Sequence, residues 1–88
     1  MKVRNMESPR TGNPVANQFI IEDGGKVYFQ SYDTIIAVKK SGKITLDKNL
    51  WNCSRTTSKY RNEFTGFNTK ETKEYIREGK VLLADLNK

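Results

Sequence analysis

Residues 15–47, V-A-N-Q-F-I-I-E-D-G-G-K-V-Y-F-Q-S-Y-D-T-I-I-A-V-K-K-S-G-K-I-T-L-D, decide the fold of this chain. Val15 to Glu22 is rich in residues that favour strands and runs into Asp23-Gly24-Gly25, the signal of a tight hairpin. Lys26 to Tyr32 is the return strand. Its side chains divide into Val27, Phe29 and Ser31 on one face and Tyr28, Gln30 and Tyr32 on the other. Asp33-Thr34 reads as a tight turn or bulge, after which Ile35-Ile36-Ala37-Val38 is apolar throughout, as a central strand would be. Ser41-Gly42 then turns the chain into a fourth strand, Lys43 to Asp47, with clean alternation.

The pattern changes after Trp51. Ser54 is suited to an N-cap and Gly66 to the residue just past a C-terminus, which predicts a helix of about three turns between them. At 100° per residue Thr56, Thr57, Tyr60 and Phe64 share one arc. Lys59 and Arg61 flank that arc on opposite sides, and Arg55 lies further round. A second helix starts at Asn68, whose partner Glu71 completes an N-x-x-E capping box, and stops at Gly79. Val81 to Leu86 is a last apolar strand, free to return to the sheet. Residues 1–14, with Pro9, Gly12 and Pro14 and little apolar periodicity, read as a flexible or loosely docked N-terminal arm. The expected fold is therefore a single α+β domain over residues 15–88. A small antiparallel-rich sheet of about five strands packs on a two-helix unit in the order β-β-β-β-α-α-β.

Composition limits what such a domain can do. A chain of 88 residues buries only about 60% of the surface its unfolded form exposes. No apolar run approaches the roughly 18 residues of a membrane span, and Met1 to Asn5 lacks the apolar stretch of a signal peptide. The lone cysteine excludes an intramolecular disulfide, and the absence of histidine excludes every histidine-based catalytic or zinc arrangement. The charge is uneven. Lys39, Lys40, Lys43, Lys48, Arg55, Lys59 and Arg61 stand against one acid, Asp47, so this segment alone carries the net charge of +6. A basic cluster of that kind points to an anionic partner: nucleic acid, a nucleotide or an acidic protein face.

Catalytic groupings do not emerge. Cys53 and the hydroxyl residues have no histidine to activate them, and Cys53 reads as a small buried apolar side chain. Glu74 and Glu78 share a helix face but are surrounded by Lys70, Lys73 and Arg77, the pattern of a surface salt-bridge lattice. Asp23-Gly24-Gly25-Lys26 lies between strands and does not open a helix, so it is no phosphate loop. The expectation is a protein that is not an enzyme and uses no metal or cofactor. Binding features remain. Ser54, Thr56, Thr57 and Ser58 cluster at a helix N-terminus, which favours anions, and Trp51 can either stack on a base or join Tyr60 in the core. Tyr28 and Tyr32 either pack under the helices or offer a stacking platform, although the glycine-aromatic pattern of an RNA-recognition sheet is missing.

Four strings taken together resemble a small domain of unknown function encoded by phages and prophages of Gram-positive bacteria. They are S-P-R-T-G-N-P-V-A-N-Q-F (Ser8 to Phe19), F-Q-S-Y with I-A (Phe29 to Tyr32, Ile36-Ala37), W-x-x-S-x-T-T-x-K-Y (Trp51 to Tyr60) and I-x-x-G with L-x-D-L-N (Ile76 to Asn87). In that pattern an aromatic often fills the slot of Cys53. The resemblance implies a phage or prophage setting, a site of action in the cytoplasm of the infected bacterial host, and no particular activity. Three functions then compete. One is a binding protein that interferes with a host nucleic-acid machine or defence system, in the manner of an anti-CRISPR inhibitor, by contacting an acidic protein face or a bound guide RNA. The second is a regulator that binds nucleic acid directly through residues 39–61. The third sequesters a nucleotide signal near Ser54–Ser58. A homodimer is compatible with any of them, because a thin core and open sheet edges favour self-association.

Overall fold

The computed structural model describes residues 1–87. Its elements are β1 (Lys2–Glu7), β2 (Pro14–Asp23), β3 (Lys26–Ser31), β4 (Thr34–Lys40), β5 (Lys43–Asp47), α1 (Arg55–Thr65), α2 (Thr69–Arg77) and β6 (Val81–Ala84). The six strands form one sheet in sequence order. The first five are an antiparallel meander, and β6 returns from the helices to lie parallel to β5. The class is α+β, as the sequence predicts, with one strand more than expected.

That extra strand corrects the reading of residues 1–14 as a loose arm. Lys2 to Asn5 pair with Glu22 to Phe19 along the edge of the sheet. Of the strand's side chains only Met6 is buried, and a strand so polar on both faces leaves little periodicity to read. Its charges suit an edge, where they discourage pairing with foreign strands.

Two tight turns set the meander's register. Gly24 and Gly25 both have positive φ, at 56° and 86°, and Ser41 and Gly42 repeat the arrangement at 52° and 78°. These are the left-handed pairs of type I′ hairpins, whose twist matches that of the strands. The turn between β3 and β4 is less comfortable. Tyr32 holds φ at 58° and is 58% exposed, where glycine or asparagine would be cheaper. Beside it, a bulge at Phe29/Gln30 places two consecutive residues, Ile36 and Ala37, in the core.

Both helices lie on one face of the sheet. Phe64 of α1 stacks on Phe29, with ring centroids 5.9 Å apart, and the Thr57 hydroxyl meets that of Ser31 at 3.1 Å. Tyr60, Leu46, Ile20 and Val81 complete this core. Phe67 meets Tyr75 edge to face at 4.7 Å, in a small cleft that also includes Ile44 and Val81. The caps stand where the sequence puts them. Ser54 accepts from the Thr57 N–H, Gly66 takes the left-handed conformation, and Asn68 and Glu71 form the reciprocal capping box.

Asp47 ties the crossover together. Its carboxylate is buried and accepts from the N–H groups of Asn49 at 3.2 Å, Leu50 at 2.9 Å and Leu86 at 2.9 Å. Burial works to raise this carboxyl, but hydrogen bonds from Leu86, the Asn87 side chain, Leu50 and Asn49 outweigh it and hold it below its ordinary value. The stabilisation is therefore complete above the ordinary carboxylate range and is lost as the pH falls through the lowered value. Asp47→Asn is expected to cost about 2 kcal/mol at neutral pH. In denaturant titrations its deficit against wild type should narrow below about pH 5. A deficit equally large in acid would show that the charge of Asp47 is not what matters.

Candidate nucleic-acid interface

The face of the sheet away from the helices is uncovered by any other described element. Its side chains follow from the register. Asp23, Lys26, Lys40 and Lys43 stand directly across from one another on β2 to β5, and the next row is Ile21, Tyr28, Val38, Thr45 and Leu82. Lys26, Lys40 and Lys43 thus form a cationic row at the end of the sheet that carries the two type I′ turns. Behind it runs an apolar band with one aromatic. The three lysines, with Tyr28, Val38, Thr45 and Leu82 of the band, line a shallow depression of about 430 Å³, closed on one side by Asp85 and Leu86. Lys40 and Lys43 are exposed and Lys26 is half-buried. Among the described residues none of the three makes an ion pair.

This decides one open alternative and corrects one expectation. The helices do not pack over the face of Tyr28 and Gln30, because both sit on the face of Phe29 and Ser31. The basic segment 39–61 is also not one surface. Lys40 and Lys43 share the row, but Lys39 points to the opposite face, its Nζ 4.5 Å from the Phe64 ring centroid, where burial pulls its ammonium below the ordinary lysine value. There it lines a cleft of about 780 Å³ beside β1, whose Arg4 and Lys39 are balanced by Glu7 and Glu63. Lys48 is in the turn after β5, and Arg55 and Lys59 are on the exposed side of α1. Lys26 lies outside the basic segment and is missed by a linear count of charge. The two hairpin signals, Asp23-Gly24-Gly25 and Ser41-Gly42, are what would have found it, since together they place Lys26 opposite Lys40.

A family model described as a family of unknown function, DUF8033, matches residues 1–80. The chain belongs to this family. No curated protein and no solved structure matches it. The family match covers every element of this DUF8033 domain except β6.

The hydroxyl cluster at the start of α1 is largely engaged within the domain. Ser54 Oγ donates to Thr57 Oγ1 at 3.0 Å while accepting the Thr57 N–H, and Ser58 Oγ donates to Asn52 Oδ1 at 3.0 Å. Thr57 is buried and Thr56 exposed. Trp51 is half-buried against the core. Cys53 is exposed, contrary to the expectation that it is buried. No group of three metal-ligating side chains gathers among the described residues, and no helix among them is long and apolar enough to cross a membrane. The lattice expected on α2 is absent as well. Glu78 instead reaches Lys80, just beyond the helix, at 3.5 Å.

Arg61 is the largest correction. Expected on the surface, it has no exposure at all. Its Nη1 donates to the Trp51 carbonyl at 2.5 Å, and its Nη2 donates to Asn62 Oδ1 and Thr69 Oγ1, both at 2.9 Å. The guanidinium also lies 5.1 Å from the Trp51 ring centroid. Burial pulls its pKa down and the nearby Cys53 opposes that, but an arginine remains charged. Arg61 therefore joins α1, the loop that precedes it and the first residue of α2. Arg61→Ala is expected to cost about 3 kcal/mol or to leave the chain unfolded. Arg55→Ala and Lys59→Ala should stay within about 0.5 kcal/mol of wild type. Equal effects in urea denaturation of the three variants would refute the distinction.

Proposed function

We propose that this chain is a non-catalytic binding module for nucleic acid, holding phosphates with Lys26, Lys40 and Lys43. The observation that carries this reading is the lysine row itself. Like charges directly opposite on neighbouring strands repel and weaken a sheet, and here three stand side by side, with Asp23 at the β2 end and Asp85 at the side of the depression as the neighbouring acids. A polyanion lying along the row supplies the missing counter-charge and gains from the release of its own counterions. The cleft beside β1, where cations and acids balance, offers no such preference.

A second reading, interference with a host nucleic-acid machine, draws on the phage-type motifs and on the aliphatic part of the same face, Val38 and Leu82. In that case the row contacts a bound guide RNA or an acidic protein face. Fluorescence anisotropy of labelled DNA and RNA at roughly 50 and 200 mM salt tests the first reading. Wild type is expected to bind with log K falling by about 0.7–0.9 for each phosphate contacted. Lys26→Ala/Lys40→Ala/Lys43→Ala should lose most of the affinity and flatten the slope by about two to three contacts, with no loss of thermal stability because repulsion is relieved. Absence of binding at the lower salt would overturn it.

A further inference from the structure

We infer that the uncovered sheet face takes single-stranded nucleic acid in preference to duplex, with the phosphates on the lysine row and bases against Tyr28 and Tyr32. This rests on the reading of the lysine row as a nucleic-acid site and assigns what the rest of the face does. A duplex keeps its bases stacked on one another and offers a flat sheet only phosphates and groove edges, so the band behind the lysines would stay bare. A single strand has unstacked bases whose faces are apolar, and aromatic side chains beside a basic track are how such strands are held without sequence preference. The geometry provides both parts. Tyr28 stands in the row directly behind Lys26, half-buried, with Val38 and Leu86 completing the wall of the depression. Leu82, 50% exposed, extends its apolar floor.

Tyr32 supplies an independent observation. It is the first residue of the turn that follows β3. It is exposed while its backbone is held in the left-handed region. A bulky aromatic at such a position costs stability that glycine would not, and a side chain left 58% exposed recovers little of that by burial. Gln30 lies between the two tyrosines and fixes the turn, its Nε2 donating to the Tyr32 carbonyl at 2.7 Å. Lys26, Tyr28 and Gln30 thus share one face of β3, and Tyr32 presents an exposed ring at the turn that follows.

The test is anisotropy of wild type and variants with labelled oligo(dT), oligo(dA) and a blunt duplex of the same length, at one low salt concentration. Single strands are expected to bind more tightly than the duplex. Tyr32→Gly should weaken single-strand binding about five- to hundredfold while leaving the duplex unchanged. Glycine is the residue best suited to the backbone there, so the variant should fold at least as stably as wild type and its loss can be read directly. Tyr28→Leu should behave like Tyr32→Gly, and Tyr28→Phe should retain binding. If Tyr28→Leu fails to fold, Tyr32→Gly alone decides. Duplex binding as tight as single-strand binding, or full single-strand affinity in Tyr32→Gly, would overturn this inference and leave the lysine-row reading standing. Failure of every oligonucleotide to bind would remove both.

Discussion

One buried carboxylate holds the two ends of the crossover in this domain. The five-stranded meander is built from adjacent hairpins and needs only local turns. The step from β5 through α1 and α2 to β6 is different, because it leaves the sheet and must come back beside the strand it left. Asp47 is at the point of departure. It accepts from the N–H groups of Asn49 and Leu50 as the chain turns away and from Leu86 as it returns. The Lys48 N–H bonds the Ala84 carbonyl next to it. Asn87 extends the closure, its side chain accepting from the Ile35 N–H and donating to the Ile35 carbonyl at 2.7 and 2.9 Å, beyond the end of β5. A buried charge is tolerated here because several N–H groups surround it.

Closing the sheet this way puts both helices on the same side. Arg61 then fastens them to each other and to the loop from Trp51, using neutral oxygens in place of an acid. Its Nε has no partner, so the arrangement is a compromise between reach and full satisfaction. The consequence for the opposite face is simple. Two helices of 11 and 9 residues cannot cover two sides of a six-stranded sheet. The rows headed by Lys26 and Tyr28 are therefore left to solvent or to a partner.

Local signals in the sequence were the legible ones. Ser54, Gly66 and the Asn68–Glu71 box are complete within a few residues, as are the two glycine turns, and each is found where its chemistry demands. What could not be read depends on neighbours distant in sequence. β1 is a strand only because β2 offers it a ladder, and its own residues show almost no apolar face. Arg61 sits beside the apolar arc of α1, as helical geometry requires, but the loop that buries it is invisible to periodicity. The basic segment looked continuous because lysines are close along the chain, whereas the sheet sorts them by parity. Lys39 and Lys40 are adjacent in sequence and lie on opposite faces. Tyr28 was recognisable as one of two outcomes, and only the placement of the helices decides between them.

The parallel pairing of β6 has a consequence for synthesis on the ribosome. Strands β1 to β5 can zip as they emerge, since each needs only its predecessor. The half-formed domain would then carry Phe29, Ala37 and Leu46 bare on one side and Asp47 without its C-terminal donor, 39 residues away. Only when β6 clears the exit tunnel can the charge at Asp47 be fully satisfied and the helices be drawn down over the core. Completion is thus a late, non-local step, of the kind that is slow in sheets. Until then the nascent chain is a sticky meander with an unguarded β5 edge, the form in which this protein would most need a chaperone.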